Sequence, residues 1–344
     1  MWDRFLRACR REAVDTTPVW FMRQAGRYMA EYRAIRERHT LLEICARPEV
    51  AAEVTLQPVR ALGVDAAILF ADILLPLEPM GAPFDFAAGE GPRFAEPVRD
   101  ARAIAALRVI DPEESLAHVL SAVRILRREL EGKTPLIGFA GGPFTLASYL
   151  VEGGKSSSYA RTKQLMYREP ALWNELMTKL AEVVRRYLRA QIDAGAHAVQ
   201  LFDSWVGELS PVDYEAYILP HVRHILADVE RTGVPVIHFG TGTAMLLALM
   251  RRAGGTVIGV DTWTPLDWAL RELGPGVAVQ GNLEPLLLGA PRGLLSARVD
   301  DVLRRAEGAP GHVFNLGHGI LPDTPPDAVK FVVDLVHERA ARPA

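Results

Sequence analysis

An apolar run, "PVWFM", stops at Arg23 and Gln24, and Arg27 follows one turn later. Two guanidiniums and an amide placed directly after a segment of buried character point to an anion, because a planar guanidinium binds a carboxylate through two parallel hydrogen bonds. Asp72 ends a second such run, "VDAAILFAD". A charge at that position is costly unless hydrogen bonds or cations compensate it. Asp72 is therefore either half of a structural ion pair or a carboxylate held in a cleft for N–H donors or developing positive charge. Other apolar runs end in Gly141-Gly142, Asp203-Ser204, His238, Asp261, Gly281-Asn282, and Asn315 with His318. Singly, each could cap a helix or tie down a loop; together they could ring one cleft.

The elements that would carry these groups alternate. Short runs rich in β-branched residues, bounded by Gly, Pro or Asp, are separated by longer stretches with helical spacing. Eight such runs are found: "PVWFM", "VDAAILFAD", "TPLIGFAGG", "AHAVQLFDSW", "VPVIHFG", "VIGVDTW", "VAVQGN" and "HVFNLGHG". Their near-continuous apolar interiors predict parallel strands buried on both faces, and eight of them predict a closed (β/α)8 barrel in one domain over residues 1–344. In that fold the strand ends named above share the C-terminal rim, where barrel sites lie. The stretch "FDFAAGEGPRF" breaks the alternation and predicts a hairpin inserted near residues 81–97, over one barrel mouth.

Composition narrows the function. At 344 residues, 49% hydrophobic and 24% charged, the chain can bury a sizeable core. A net charge of -3 gives no global reason to bind nucleic acid or membrane, but the first forty residues hold nine arginines against five acids, a local excess that asks for a local anion. Arg33, Arg36 and Arg38 read as a solvated helix face. No apolar run nears the roughly 18 residues of a membrane span and the first residues lack a signal peptide's apolar core, so a cytosolic protein is expected. Cys9 and Cys45 have no metal-ligand spacing, which argues against thiolate metal sites and disulfides.

Three motifs fail on their own terms. "YLVEGGKSSS" contains Gly-Lys-Ser, but Tyr149 stands where a phosphate loop needs glycine. The glycines of "HFGTGT" and "GGP" lack the GxGxxG arrangement of a dinucleotide fold, and no GxSxG surrounds Ser204.

In order along the chain, "RQAGRYMAEYR", "VTLQPVRALGVDAAILFADIL", "GFAGGPFTLASYLVEGG", "VQLFDSW", "QGNLEP" and "FNLGHGILPDTP" resemble the uroporphyrinogen decarboxylase family, from about residue 16 to the C-terminal helix. The resemblance implies a single-domain, distorted (β/α)8 barrel, a homodimer, and a reaction that uses no metal or organic cofactor. Its substrate would be uroporphyrinogen III, whose four acetates become methyl groups to give coproporphyrinogen III. Carried over by position, the substrate site falls on Arg23, Gln24, Ala25, Gly26 and Arg27, and on Asp72, Tyr149, Ser204 and His318. Asp72, Arg23 and Arg27 form the candidate catalytic set. One departure is visible: Leu41, in "TLLEIC", stands where bacterial relatives place a phenylalanine.

Those residue types suit that chemistry. Without a cofactor to accept electrons, the pyrrole itself must be the sink, and a carboxylate such as Asp72 is the natural partner for the cation that its protonation creates. The arginines would take substrate carboxylates, with Tyr149, Ser204 and His318 as further donors. A related zinc methyltransferase would need His-x-Cys after the fifth strand, where His238 is followed by Phe239 and Gly240. A non-catalytic porphyrinogen carrier would gain nothing from a carboxylate facing a polyanion. A barrel acting on a small phosphorylated metabolite would show a glycine-rich site of which "QGN" and "GHG" are faint versions.

Overall fold

The computed structural model describes residues 2–87 and 91–341. In chain order its strands are β1 (Ala67–Ile68), β2 (Phe84–Ala87), β3 (Gly91–Phe94), β4 (Leu136–Gly141), β5 (Ala198–Asp203), β6 (Val236–Gly240), β7 (Val257–Gly259), β8 (Ala278–Gln280) and β9 (His312–Val313). Seven of them make one parallel sheet in the order β1-β4-β5-β6-β7-β8-β9, while β2 and β3 pair only with each other. Helical connections return the chain to the start of each next strand, so the sheet curls with its helices outside.

The expected first strand is reduced to a single bridge, Val19 to Phe314. Its backbone donors explain why. Pro18 has no N–H. Val19 N–H donates to the Asp65 carboxylate (2.7 Å), Phe21 N–H to Gln24 Oε1 (3.1 Å) and Met22 N–H to Asn315 Oδ1 (3.1 Å). Only Trp20 N–H reaches a strand carbonyl, that of Phe314 at 3.3 Å. The segment still closes the ring, because Val19 C=O accepts from Asp65 N–H at 2.7 Å just ahead of β1. Asp65 anchors this seam further through Arg4 (2.9 Å) and His337 (2.7 Å). The fold is therefore a (β/α)8 barrel distorted where it closes.

A file of polar groups crosses the barrel interior. Trp20 Nε1–H donates to Gln280 Oε1 (2.9 Å) and Gln280 Nε2 to Gln200 Oε1 (3.1 Å). Gln200 and Gln280 belong to β5 and β8, which are not sheet neighbours, so the contact spans the ring. Outside it, the helix Pro170–Asp193 begins on a proline at its first turn and buries Trp173, Leu176, Met177, Leu180, Val184, Tyr187 and Leu188, the three-and-four spacing of one face. Gln191, near its end, accepts from Phe139 N–H and donates to Phe139 C=O, both at 2.8 Å. Gly138 makes this possible, since a Cβ there would lie 2.5 Å from Gln191 Oε1. β2 and β3 run antiparallel with Phe84 opposite Phe94; the turn between them, residues 88–90, lies outside the described residues.

Candidate active site

At the C-terminal ends of the sheet strands opens a cleft of about 390 Å³. Three strand phenylalanines line it: Phe139 and Phe202 meet edge to face at 5.4 Å, and Phe202 meets Phe239 at 6.0 Å. Arg23, Ala25, Asp72, Thr145, Tyr149, Lys155, Ser204 and His318 supply polar groups or backbone to the same cleft. Phe86 and Pro92 reach it from β2 and β3.

Asp72 is placed by the chain that leaves β1. Its Oδ1 accepts from Leu74 N–H at 2.9 Å. Burial raises its pKa, while the Leu74 N–H and the charge of Arg23 act in the opposite direction and favour the anion. The carboxylate is felt around it: burial together with Asp72 pushes the Tyr149 hydroxyl up to about 12, and does the same to the Cys45 thiol. Tyr149 is therefore a hydrogen-bond donor across the physiological range. Its ring lies on Trp205 at 4.0 Å, which fixes the direction of the hydroxyl.

The "RQAGR" segment divides into one group that faces the cleft and others that hold it there. Arg23 is exposed and sits at φ +60, a conformation that costs a non-glycine residue about 1 to 2 kcal/mol. Gln24 secures that turn. It is fully buried, its Oε1 accepts from Phe21 N–H, its Nε2 donates to Ala66 C=O at 3.0 Å, and its carbonyl accepts from the Tyr28 hydroxyl at 2.6 Å. Gln24 thus positions the turn from behind and does not line the cleft. The stem of Arg23 lies over Gly319, where a Cβ would come within 2.4 Å of Arg23 Cδ. Arg27 is exposed and outside the cleft lining, and Gly26 is also outside it. Arg33, exposed as expected, also donates to the carbonyls of Arg27 (2.9 Å) and Tyr28 (3.0 Å) and braces this loop. Leu41 begins the helix Leu41–Cys45, packs against the core and does not line the cleft.

His318 accepts from Gly319 N–H on Nδ1 at 2.8 Å, so a neutral ring carries its proton on Nε2. Burial, then the charge of Arg23, lowers its pKa and keeps it in that neutral donor form. Ser204 lines the cleft, and its carbonyl accepts from the Thr241 hydroxyl.

The other strand-end groups do not ring the cleft as the sequence suggested; Asp203, Asp261 and Asn282 staple rim loops, and His238 turns to the segment that leads into β7. Asp261 Oδ1 accepts from Trp263 N–H and from the N–H and hydroxyl of Thr264, and its Oδ2 from Gly242 and Thr243 N–H. Asn282 donates to the carbonyls of Asp261 (2.7 Å) and Thr264 (2.6 Å). His238 points its Nδ1 at Gly254 C=O, and burial lowers its pKa to about 4. Asp203 is a cap supplied from a neighbouring strand. The helix Pro143–Glu152 starts at Gly142, which has no side chain to cap with, and Asp203 Oδ1 instead accepts Thr145 N–H (3.2 Å) and Thr145 Oγ1–H (2.8 Å). A Cβ at Gly142 would stand 2.4 Å from Asp203 Cγ. Thr145 in turn accepts Trp205 N–H at 3.2 Å, so Asp203, Thr145, Trp205 and Tyr149 form one mechanical chain. Thr145, Trp205 and Lys155 are cleft groups that motif reading missed. Thr145 lies four residues before Tyr149 on the same helix, a spacing that the sequence does display.

Fold and cleft define a class: a (β/α)8 barrel with a polar-lipped, aromatic-lined cleft at the rim where barrel enzymes work. The chain belongs to the uroporphyrinogen decarboxylase family, whose model, Uroporphyrinogen decarboxylase (URO-D), matches residues 2–339. It is 68% identical over 337 residues to the uroporphyrinogen decarboxylase of Sorangium cellulosum, covering 98% of this chain and 96% of that one. It is 56% identical to those of Carboxydothermus hydrogenoformans (98% and 96% covered) and Thermus thermophilus (98% of each). Among solved structures, a methyltransferase from Methanosarcina mazei superposes with a TM-score of 0.83 at 21% identity over 98% of each chain. A B12-independent methionine synthase from Shewanella does so at 0.58 and 11%, over 88% of this chain and 90% of that one. At those identities the likeness is one of fold.

Burial pushes Asp203 up to about 6 against the pull of its Thr145 bonds. The folded chain then binds this proton more tightly than the unfolded chain does, so the group lowers stability as pH rises from about 4 to about 6. Asp203→Asn should keep the cap and remove that slope, and Asp203→Ala, which also removes the slope, should be about 1 to 2 kcal/mol less stable than Asp203→Asn at every pH. Urea unfolding between those pH values and neutrality checks both; equal slopes in the native chain and Asp203→Asn would contradict the assignment.

Proposed function

We propose that this chain removes carbon dioxide from the four acetate side chains of uroporphyrinogen III, leaving methyl groups and giving coproporphyrinogen III in tetrapyrrole biosynthesis. The observation that carries the reading is the 68% identity, across nearly the whole of both chains, to a uroporphyrinogen decarboxylase. The cleft supports it with a carboxylate, Asp72, the one acid lining it among the described residues, set among phenylalanines beside an arginine.

Each turnover consumes one proton per carbon dioxide. Protonation of a pyrrole α-carbon makes an iminium-like cation. The bond from the acetate methylene to its carboxylate then breaks, its electron pair flows into the ring and neutralises the cation, and a proton delivered to the methylene restores the pyrrole as the α-proton leaves. Asp72 stabilises the cation and accepts pyrrole N–H groups. It does so in surroundings of low polarity, where fixed charges act more strongly than in water. Leu74 N–H and the charge of Arg23 oppose the rise that burial causes and so favour the anion that this role needs. Arg23 holds a substrate carboxylate with the guanidinium that its left-handed turn presents; Tyr149, Ser204 and the Nε2–H of His318 bind others. Arg27, at the outer edge of the loop, attracts the polyanion toward the mouth. Among the described residues no group of three or more His, Cys, Asp or Glu could hold a metal ion, and no helix is long and apolar enough to cross a membrane. As a step of tetrapyrrole biosynthesis, the proposed reaction is placed in the cytosol.

We also infer a homodimer. Met245, Trp263 and Leu286 are 75%, 72% and 69% exposed on the loops that follow β6, β7 and β8, three neighbouring strands. Those loops are tied together by Gly242 N–H to Asp261 and by the Thr262 hydroxyl to Glu284 (2.7 Å), so they present one firm apolar rim. A second copy is its occupant.

Anaerobic incubation of the purified chain with uroporphyrinogen III should yield coproporphyrinogen III through partly decarboxylated intermediates; a well-folded protein giving no product would sink the proposal. Trp263→Glu should convert a dimer into a monomer in sedimentation, and a native chain already monomeric at micromolar concentration would rule the dimer out.

A further inference from the structure

One motif still without a role, "EGGKSSS", ends at the mouth of the cleft. Its glycines are there for packing. Gly153, at φ +84, ends the helix Pro143–Glu152 and gives its carbonyl to Phe94 N–H of β3 at 3.0 Å, and a Cβ on it would meet Pro97 Cγ at 2.8 Å. A Cβ on Gly154 would meet Pro92 C=O at 3.0 Å. The glycine pair therefore lets this loop lie flat against β3, and the next residue, Lys155, is carried over the cleft, which it lines together with Arg23 and Asp72. A third glycine sets its course. Gly91, the first residue of β3, leaves a lane for the lysine stem, since a Cβ there would stand 3.0 Å from Lys155 Cε and 3.7 Å from Nζ. Glu152, the nearest acid in sequence, is engaged elsewhere, accepting from Thr162 N–H (2.9 Å) and hydroxyl (3.0 Å).

We propose that Lys155 is a substrate-binding residue, a second cation at the cleft mouth that takes a carboxylate of the polycarboxylate tetrapyrrole which Arg23 alone does not reach. The inference rests on the function proposed above and refines it. An eight-carboxylate substrate entering a cleft that contains the Asp72 anion needs more than one cation to offset the repulsion. Arg23 enters from the loop after the barrel's closing segment, whereas Lys155 enters from the loop after the helix that carries Tyr149. The two grip the substrate through separate elements. Lys155 is a mobile point charge on a long stem, suited to following a substrate whose carboxylates change with each round.

The test separates binding from chemistry. Lys155→Met keeps the stem and removes the charge. It should raise KM for uroporphyrinogen III about tenfold, leave kcat within about twofold, reduce the salt dependence of kcat/KM and leave the melting temperature unchanged. Lys155→Arg should restore KM. In parallel, anaerobic ultrafiltration should show the native chain retaining tetrapyrrole, counted whatever its carboxylation state, with a Kd that rises about tenfold in Lys155→Met. Retention that depends on Lys155 without any turnover would overturn the decarboxylation reading and uphold this one. Turnover with KM and retention unchanged in Lys155→Met would overturn this one alone, and no retention by either chain would overturn both.

Discussion

A carboxylate lining an apolar cleft keeps its charge only if something answers it, and the architecture around Asp72 is a set of such answers. Burial raises its pKa; a backbone N–H from Leu74 and the guanidinium of Arg23 oppose that rise. Arg23 can answer only because it stands at a left-handed turn secured by a wholly buried amide, Gln24, and because Gly319 leaves its stem a place to lie. Gln24 and Gly319 therefore position Arg23, although neither lines the cleft through a side chain of its own.

The rim that presents these groups is held by a single recurring device, a polar side chain at a strand end that bonds to the backbone of a neighbouring loop. Asp203 caps the helix bearing Tyr149, Asp261 and Asn282 fasten the loops after β6 and β7, and Asn315 accepts from Met22 and Leu316 N–H. Loops fixed this way can carry precise groups without regular structure of their own. The device also explains why so many barrel residues are polar and buried at once.

Much of this is legible in the sequence and some is not. The alternation of apolar runs and helical stretches points to the barrel; Asp72, Arg23, Ser204 and His318 stand out at the ends of apolar runs, Tyr149 is implied by the family resemblance, and all five line the cleft. The first strand is overread because periodicity reports burial, whereas a strand also needs ladder partners, and the donors of residues 19–22 go mostly to side chains. The strand-end ring is overread for a related reason. Asp203 and Ser204 are adjacent, and period-two geometry sends one to the helix layer and the other to the cleft. Gln24 has the composition of a ligand and the burial of a strut, a distinction that spacing does not carry. Lys155 stays hidden because its direction depends on glycines at positions 91, 153 and 154, contacts between segments far apart in the chain.

In the function we propose, binding falls to the cations and chemistry to Asp72. The phenylalanines would lower the local polarity, the arginine and lysine would bring in carboxylates, and Asp72 would meet the positive charge that ring protonation creates. The two duties can be told apart in one experiment: anaerobic single-turnover kinetics of Asp72→Asn with uroporphyrinogen III. An amide of the same shape cannot stabilise the cation, so the rate of the first decarboxylation should fall at least ~100-fold while the dissociation constant changes little. A native rate in that variant, or a loss seen wholly in binding, would contradict the account.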